Sequence, residues 1–362
     1  MSRRSFRIAL LIVLATVLVV TAAGAIAYLE ISRYPHGRAH GKGREVVVEI
    51  GRGMSFPEVV AVLSQANLIG RPAWFRLYAI HRGMASKVRA GRYVLRDDLS
   101  PAEVLDALVK GAKEEEIRIT VPEGKHIIEV AASLAEAGLA PARELEELCR
   151  DVEWLREQGI DGTTADGYLF PDTYLFRLRS SARTILSAMI RRHRVVYDEL
   201  GRAHSKSLGR LQKKLGWGDR EIVIMASIVE KETGVPEERR LVASVFYNRL
   251  ILPSFGSRLL ETDPTIRYGC TVPLAKSPAC QRWDPAGRLF RAQLDDKANP
   301  YNTYRHAKLP PGPIANPGRA ALEAAMDPAS TEYLYFVAKD ERSHVFSETY
   351  AEHQRWVDKY QR

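Results

Sequence analysis

Two carboxylates close an apolar run in this chain: Glu221-Ile222-Val223-Ile224-Met225-Ala226-Ser227-Ile228-Val229-Glu230-Lys231-Glu232-Thr233-Gly234. No Gly or Pro interrupts it before Gly234 and Pro236, so it reads as a buried helix with a C-terminal stop. At ~100° per residue, the apolar direction is set by Ile222, Met225 and Val229; Glu232 lies ~50° from it and Glu230 ~110°, with Lys231 almost opposite. Glu232 therefore points toward the core or a cleft in it. An ionised carboxylate is costly to desolvate there, so it must find a partner or keep its proton at a raised pKa. A carboxyl group protonated near neutrality is what general acid catalysis needs. The plainer alternative is a helix end with Glu230 and Lys231 in water and Glu232 paired with an arginine.

Other polar residues stand where chemistry could use them. Asn248 is the odd amide in the apolar helix that follows Pro236. Leu259 to Gly269, with Glu261-Thr262-Asp263-Pro264 inside it, reads as a polar turn between apolar pieces, although Asp-Pro often merely starts a turn. Tyr301-Asn302-Thr303-Tyr304 and the proline-rich stretch 309–318 make a helix-free loop pair. Asp166-Gly167-Tyr168-Leu169-Phe170 opens an aromatic-dense segment suited to packing under a loop or to lining a groove. No Cys/His spacing matches a metal site, and neither metal nor cofactor is expected. Of three cysteines, Cys270 and Cys280 sit ten apart in a proline-containing loop, where an exported protein could carry a disulfide.

The elements that must position these residues form an α+β chain. Ile8 to Leu29 is an uncharged run of 22 residues, long enough to cross a bilayer. Small-x-small sites around Ala25 keep a cleaved signal peptide as the rival, but the run exceeds a signal core of ~7–15 residues. Basic residues flank both ends, so charge does not decide orientation. Of the net charge of +9, residues 1–44 hold +6, and no nucleic-acid footprint is indicated. The expected division is 1–7 as a cytoplasmic N-terminus, 8–29 as a transmembrane helix, 30–44 as a linker, 45–115 as a small subdomain and 116–362 as a larger mixed α+β domain. Three strand–turn–helix units recur, at 46–63, 93–108 and 117–134, the third inside the larger domain (117–140). Each helix opens with a Glu-Val pair and later meets Gly70, Gly111 or Gly138. They loosely resemble LysM glycan-binding modules; Trp74, Phe75 and Tyr93 are the aromatics that could stack on a sugar. Beyond them, 139–158 reads as an amphipathic helix, 180–200 as another and 205–219 as a basic, turn-rich segment. After Pro236 come a helix, loops, the helix 319–326, strands 333–338 and 344–346, and a last helix, 350–360.

Ala226 to Thr233, Val245-Phe246-Tyr247-Asn248-Arg249-Leu250, Thr262-Asp263-Pro264-Thr265, Tyr301 to Tyr304, Leu309-Pro310-Pro311-Gly312 and Tyr333 to Val337 occur here in an order that resembles the YceG-like family of endolytic murein transglycosylases. The resemblance covers the chain and is most specific in its C-terminal half. It implies a single-pass anchor in the bacterial inner (cytoplasmic) membrane, a LysM-like subdomain and a periplasmic or extracytoplasmic catalytic domain. It also implies endolytic cleavage of nascent peptidoglycan between N-acetylmuramic acid and N-acetylglucosamine, leaving a 1,6-anhydro end. The essential glutamate of the family maps onto Glu232, in agreement with the helical phase. Asn248, Thr262, Asp263, Tyr301, Asn302 and Tyr304 become candidates for holding the glycan, and penicillin-binding peptidoglycan synthases become candidate partners. Glu230 points ~160° from Glu232, too far round the helix for one sugar to lie between them, and is assigned a structural or supporting role. Glu261 stands where relatives often have glutamine, and Asp166 where they often have glutamate. The alternative is a membrane-anchored, non-catalytic peptidoglycan-binding scaffold.

Overall fold

The computed structural model describes residues 3–37, 41–112, 116–340 and 343–361. The expected linker and N-terminal segments fall partly outside them. The chain divides into two compact units, residues 1–115 and 116–362.

The first unit begins with α1 (Arg3–Arg33), of which Leu14 onward through the following turn to His36 is long and apolar enough to cross a membrane. The described side chains between Leu14 and Leu29 are exposed, which suits lipid better than water. Then follow β1 (Glu45–Ile50), α2 (Phe56–Gln65), α3 (Pro72–His81), β2 (Gly91–Arg96) and α4 (Pro101–Lys110). Strands β1 and β2 pair antiparallel, Val48 opposite Tyr93, and alternate residues face a core of Leu63, Phe75, Val104 and Leu108. Part of the expected linker is fastened: the Asp97 carboxylate accepts from Gly43 N (2.7 Å) and Arg44 N (2.9 Å).

The second unit contains β3 (Glu116–Thr120), α5 (Ile127–Glu136), α6 (Ala142–Leu148), α7 (Val152–Glu157), β4 (Thr173–Arg177), α8 (Ala182–Ala203), α9 (Ser205–Leu215), α10 (Asp219–Glu232), α11 (Arg239–Ile251), α12 (Asp263–Thr271), α13 (Arg291–Leu294), α14 (Arg319–Met326), β5 (Tyr335–Ala338), β6 (His344–Ser347) and α15 (Tyr350–Tyr360). Among its described residues the strands form antiparallel pairs, β3 with β4 and β5 with β6. Helix α10 is the axis of the core, buried from Ile222 to Val229 and packed on α14, α11 and α12.

The recurring Glu-Val pair has a local cause. Glu58, Glu103 and Glu129 accept from the N-cap amides of Ser55 (2.6 Å), Ser100 (2.8 Å) and His126 (3.1 Å), and the valine after each is buried. The three units do not form one array, because β3 pairs with β4 rather than with the first two strands. The left-handed residue ending α2 is Asn67 (φ +55°), not Gly70, whereas Gly111 and Gly138 do take positive φ.

Several expected elements are corrected. The helix read over 139–158 is two, α6 and α7, because the Asp151 carboxylate caps α7 through Glu153 N and Trp154 N (3.1 Å each). The segment 205–219 is mostly the helix α9, with Leu208 buried. The polar turn read over 259–269 is helical from Asp263 on, the first part of α12, with Asp263 and Pro264 in its opening turn. Phe75 and Tyr93 are fully and almost fully buried, so neither ring can stack on a sugar.

Candidate active site

Three consecutive polar side chains at the end of α10 have three different fates. Glu230, though next to solvent on a helical wheel, is only 6% exposed: it accepts from Gly318 N (3.0 Å) and faces Arg239 at 3.7 Å. Lys231 donates to Gly124 O (3.1 Å). The loop before α14 thus covers the side of α10 that the helical wheel assigns to water. Ser227 accepts from Ile314 N (3.0 Å) and pins the same proline-rich loop one turn earlier.

Glu232 is half-buried and points the other way, where the Thr262 hydroxyl donates to its Oε1. Burial pushes its pKa up to about 7, and Asp263 adds to the rise. The Thr262 hydrogen bond, His344 and Arg249 oppose it, and burial wins. Near neutrality the group can therefore give up a proton and take one back.

A network of threonines holds Thr262 in place. Thr262 N donates to Thr303 Oγ1 (3.1 Å), Thr265 Oγ1 donates to Thr262 O (2.7 Å), and the Thr265 and Thr303 hydroxyls lie 2.9 Å apart. Glu261 adopts a left-handed backbone (φ +53°), donates its N–H to Thr303 O and meets Arg249 at 3.3 Å. That conformation costs a non-glycine residue, so the loop around it must hold it there.

Asp263 is exposed beside Glu232, and the Tyr304 hydroxyl donates to its Oδ1 (2.8 Å). Thr262, Asp263 and Tyr304 are thus brought together at the acid. Tyr301 is 8% exposed and packs on Tyr268, with ring centroids 4.7 Å apart. Asn302 is corrected: it is fully buried, and its amide donates to the carbonyls of Gln293, Leu294 and Asp296, so it fastens the loop and has no surface for a glycan. Asn248 gives both amide hydrogens to Thr331 O (2.9 Å) and Tyr333 O (3.0 Å), a framework use.

Two residues near the acid had no assigned role. Arg249, 7% exposed, donates to Leu334 O (2.8 Å) and Leu260 O (2.6 Å) and lies under the rings of Phe255 and Tyr335. His344 is held by Glu238 at 2.7 Å. Their signal in the sequence was only a cation in each stretch, Arg249 beside an amide and His344 opening a strand.

Among the described residues, the arrangement is one protonatable carboxyl group that accepts from the Thr262 hydroxyl, with the Asp263 carboxylate as a charged neighbour. Residues 48–359 match the model of the YceG-like family, and the chain belongs to that family. It is 31% identical over 330 residues to an endolytic murein transglycosylase of Bacillus subtilis, covering 87% of this chain and 84% of that one. A Streptococcus pneumoniae protein of the same name is 27% identical over 81% of this chain, which spans about half (54%) of that longer protein. The crystal structure of a YceG-like protein from Listeria monocytogenes aligns with a TM-score of 0.52 and 26% identity, over 87% of this chain and 99% of that one.

Proposed function

We propose that Glu232 is the general acid and then the general base of a peptidoglycan lytic transglycosylase. The chain is an enzyme of that class, a lyase. The observation that carries the assignment of Glu232 is a half-buried carboxyl at the end of α10, held near a pKa of about 7 and served by one hydroxyl donor.

Glu232, protonated, gives its proton to the glycosidic oxygen as the bond from C1 of N-acetylmuramic acid breaks through an oxocarbenium-like state. The C6 hydroxyl of the same sugar closes on C1, and the Glu232 carboxylate takes the hydroxyl proton. No water is consumed, and the carboxyl group is restored. This differs from glycoside hydrolysis, in which water attacks C1 or a second carboxylate forms an ester. Asp263 and Tyr304, exposed and half-buried beside Glu232, are the surface polar groups best placed to meet the glycan. Thr262 orients the acid.

In this reading α1 anchors the chain in the cytoplasmic membrane with the second unit outside it, and the first unit is a LysM-like subdomain, a reading its βααβ order supports. Digestion of purified peptidoglycan followed by mass spectrometry tests the chemistry. Anhydro-ended internal fragments that vanish with Glu232→Gln support it; reducing muramic acid ends would select a hydrolase, and binding without any fragments would select a scaffold.

A further inference from the structure

Helix α3 carries two apolar stripes. Phe75 and Ala79 face the core of the first unit. Almost opposite them on the helix, Ala73, Leu77 and Ile80 face outward; Leu77 and Ile80 are 61% and 55% exposed. Neither Leu77 nor Ile80 belongs to the core of the first unit or packs against it.

Its location identifies what covers it. Arg71, the residue before α3, meets Glu30 in the last turn of α1 at 2.8 Å, and the Tyr34 hydroxyl donates to Arg71 O (3.2 Å). The Tyr34 and Trp74 rings lie 6.1 Å apart. Helix α3 therefore starts where α1 ends. Tyr34, Trp74, Leu77, Tyr78, Ile80 and His81 line an apolar groove of about 380 Å³ there. Tyr and Trp are the side chains that settle at the headgroup level of a bilayer. From Val59 to Arg96 there is no acidic residue, whereas Arg71, Arg76 and Arg82 surround the helix and are exposed. An apolar stripe edged by arginines suits anionic phospholipid and not a neutral, hydroxyl-rich glycan.

We propose that α3 is a second membrane contact, lying in the headgroup plane of the anionic leaflet from which α1 emerges. The proposal rests on the reading of α1 as an anchor. It makes α1 and α3 one two-point attachment that fixes the first unit's tilt on the bilayer.

The full chain in vesicles of phosphatidylcholine containing phosphatidylglycerol tests it. Leu77→Cys, or Ile80→Cys as a second position, takes an environment-sensitive dye; Cys149 is buried and Cys270 is bonded to Cys280, so the label goes to the new thiol. The expected result is a dye quenched by nitroxide-bearing lipid and shielded from aqueous iodide. Arg76→Gln and Arg82→Gln should each lower the docked-to-free ratio about fivefold, the worth of one basic residue at an anionic surface. Vesicles that float with the dye open to iodide overturn the docking of α3 and leave the anchor standing. A dye shielded from iodide but untouched by lipid nitroxides also overturns it, in favour of a second copy or a protein partner. A chain that does not float with the vesicles removes the anchor and the proposal together.

Discussion

Two carboxyl groups of the second unit have their pKa pushed up to about 7 by burial, and they are fitted out in opposite ways. Asp166 is fully buried and saturated: it accepts from Ile127 N (2.8 Å) at the start of α5 and from the Tyr268 hydroxyl (2.6 Å) on α12. Glu232 is half-buried and accepts from Thr262 alone among the described hydrogen bonds. A raised pKa is shared; exposure is not. Asp166 bolts α5 to the helix whose first turn carries Asp263, whereas no described hydrogen bond ties Glu232 to any group but Thr262.

The sharpest way to break this contrast is to neutralise each group. Glu232→Gln should lower fragment release from peptidoglycan by about 10²–10⁴-fold, the usual scale of a lost general acid, and leave the melting temperature equal or higher. Asp166→Ala should do the reverse. It strands two buried donors, so it should cost about 2–5 kcal/mol of unfolding free energy in urea titration, with activity per folded molecule kept within a few-fold. If Asp166→Ala were stable and inactive, the roles assigned to the two acids would have to be exchanged.

The pH dependence of stability follows with a definite sign. The folded pKa of Asp166 lies above its ordinary value of 3.8, so the folded state holds a proton that the unfolded chain has released. Its contribution is complete below about pH 4 and is lost as pH rises through about 7, by at most ~1.4 kcal/mol per pH unit. Urea midpoints of the full chain in detergent should fall over that window. Asp166→Asn, neutral throughout, should flatten the fall, and an unchanged slope would show that Asp166 is ionised in the folded protein.

What could be read from the residues divides along the same line between local and distant causes. The extent of α10, the capping glutamates before Val59, Val104 and Val130, and the last helix are local matters of periodicity and caps, and their positions follow from neighbours a few residues away. The helix α9 was missed because Lys206, Arg210, Lys213 and Lys214 mask a short apolar face. Glu230 looked half-open because its cover, Gly318 and Arg239, comes from elsewhere in the chain. Asn302 and Asn248 looked like sugar ligands for the same reason: an amide that fastens carbonyls of a loop or strand has the same letter as one that meets a substrate. The six ordered stretches that resemble the YceG-like family pointed to the family that the chain belongs to; they could not separate the frame of the candidate site from its contacts.

The smallest expected effect sharpens the role of the hydroxyl donor to Glu232, Thr262. The Thr262 hydroxyl stabilises the carboxylate form and so holds the pKa of Glu232 below what burial alone would set. Thr262→Val keeps the shape of the residue and removes that donor. The acid form should then persist to higher pH, and because catalysis starts from that form, the alkaline limb of the pH–rate profile should move upward by about one unit, for a hydrogen bond worth ~1 kcal/mol or slightly more. The rate at the optimum should fall only a few-fold, since on the proposed mechanism the Glu232 carboxylate is also less well held in position. Thr262→Ser should restore the limb. A profile that stays fixed while the rate falls would make Thr262 a support for α12 and leave the titration of Glu232 to burial, Asp263, His344 and Arg249.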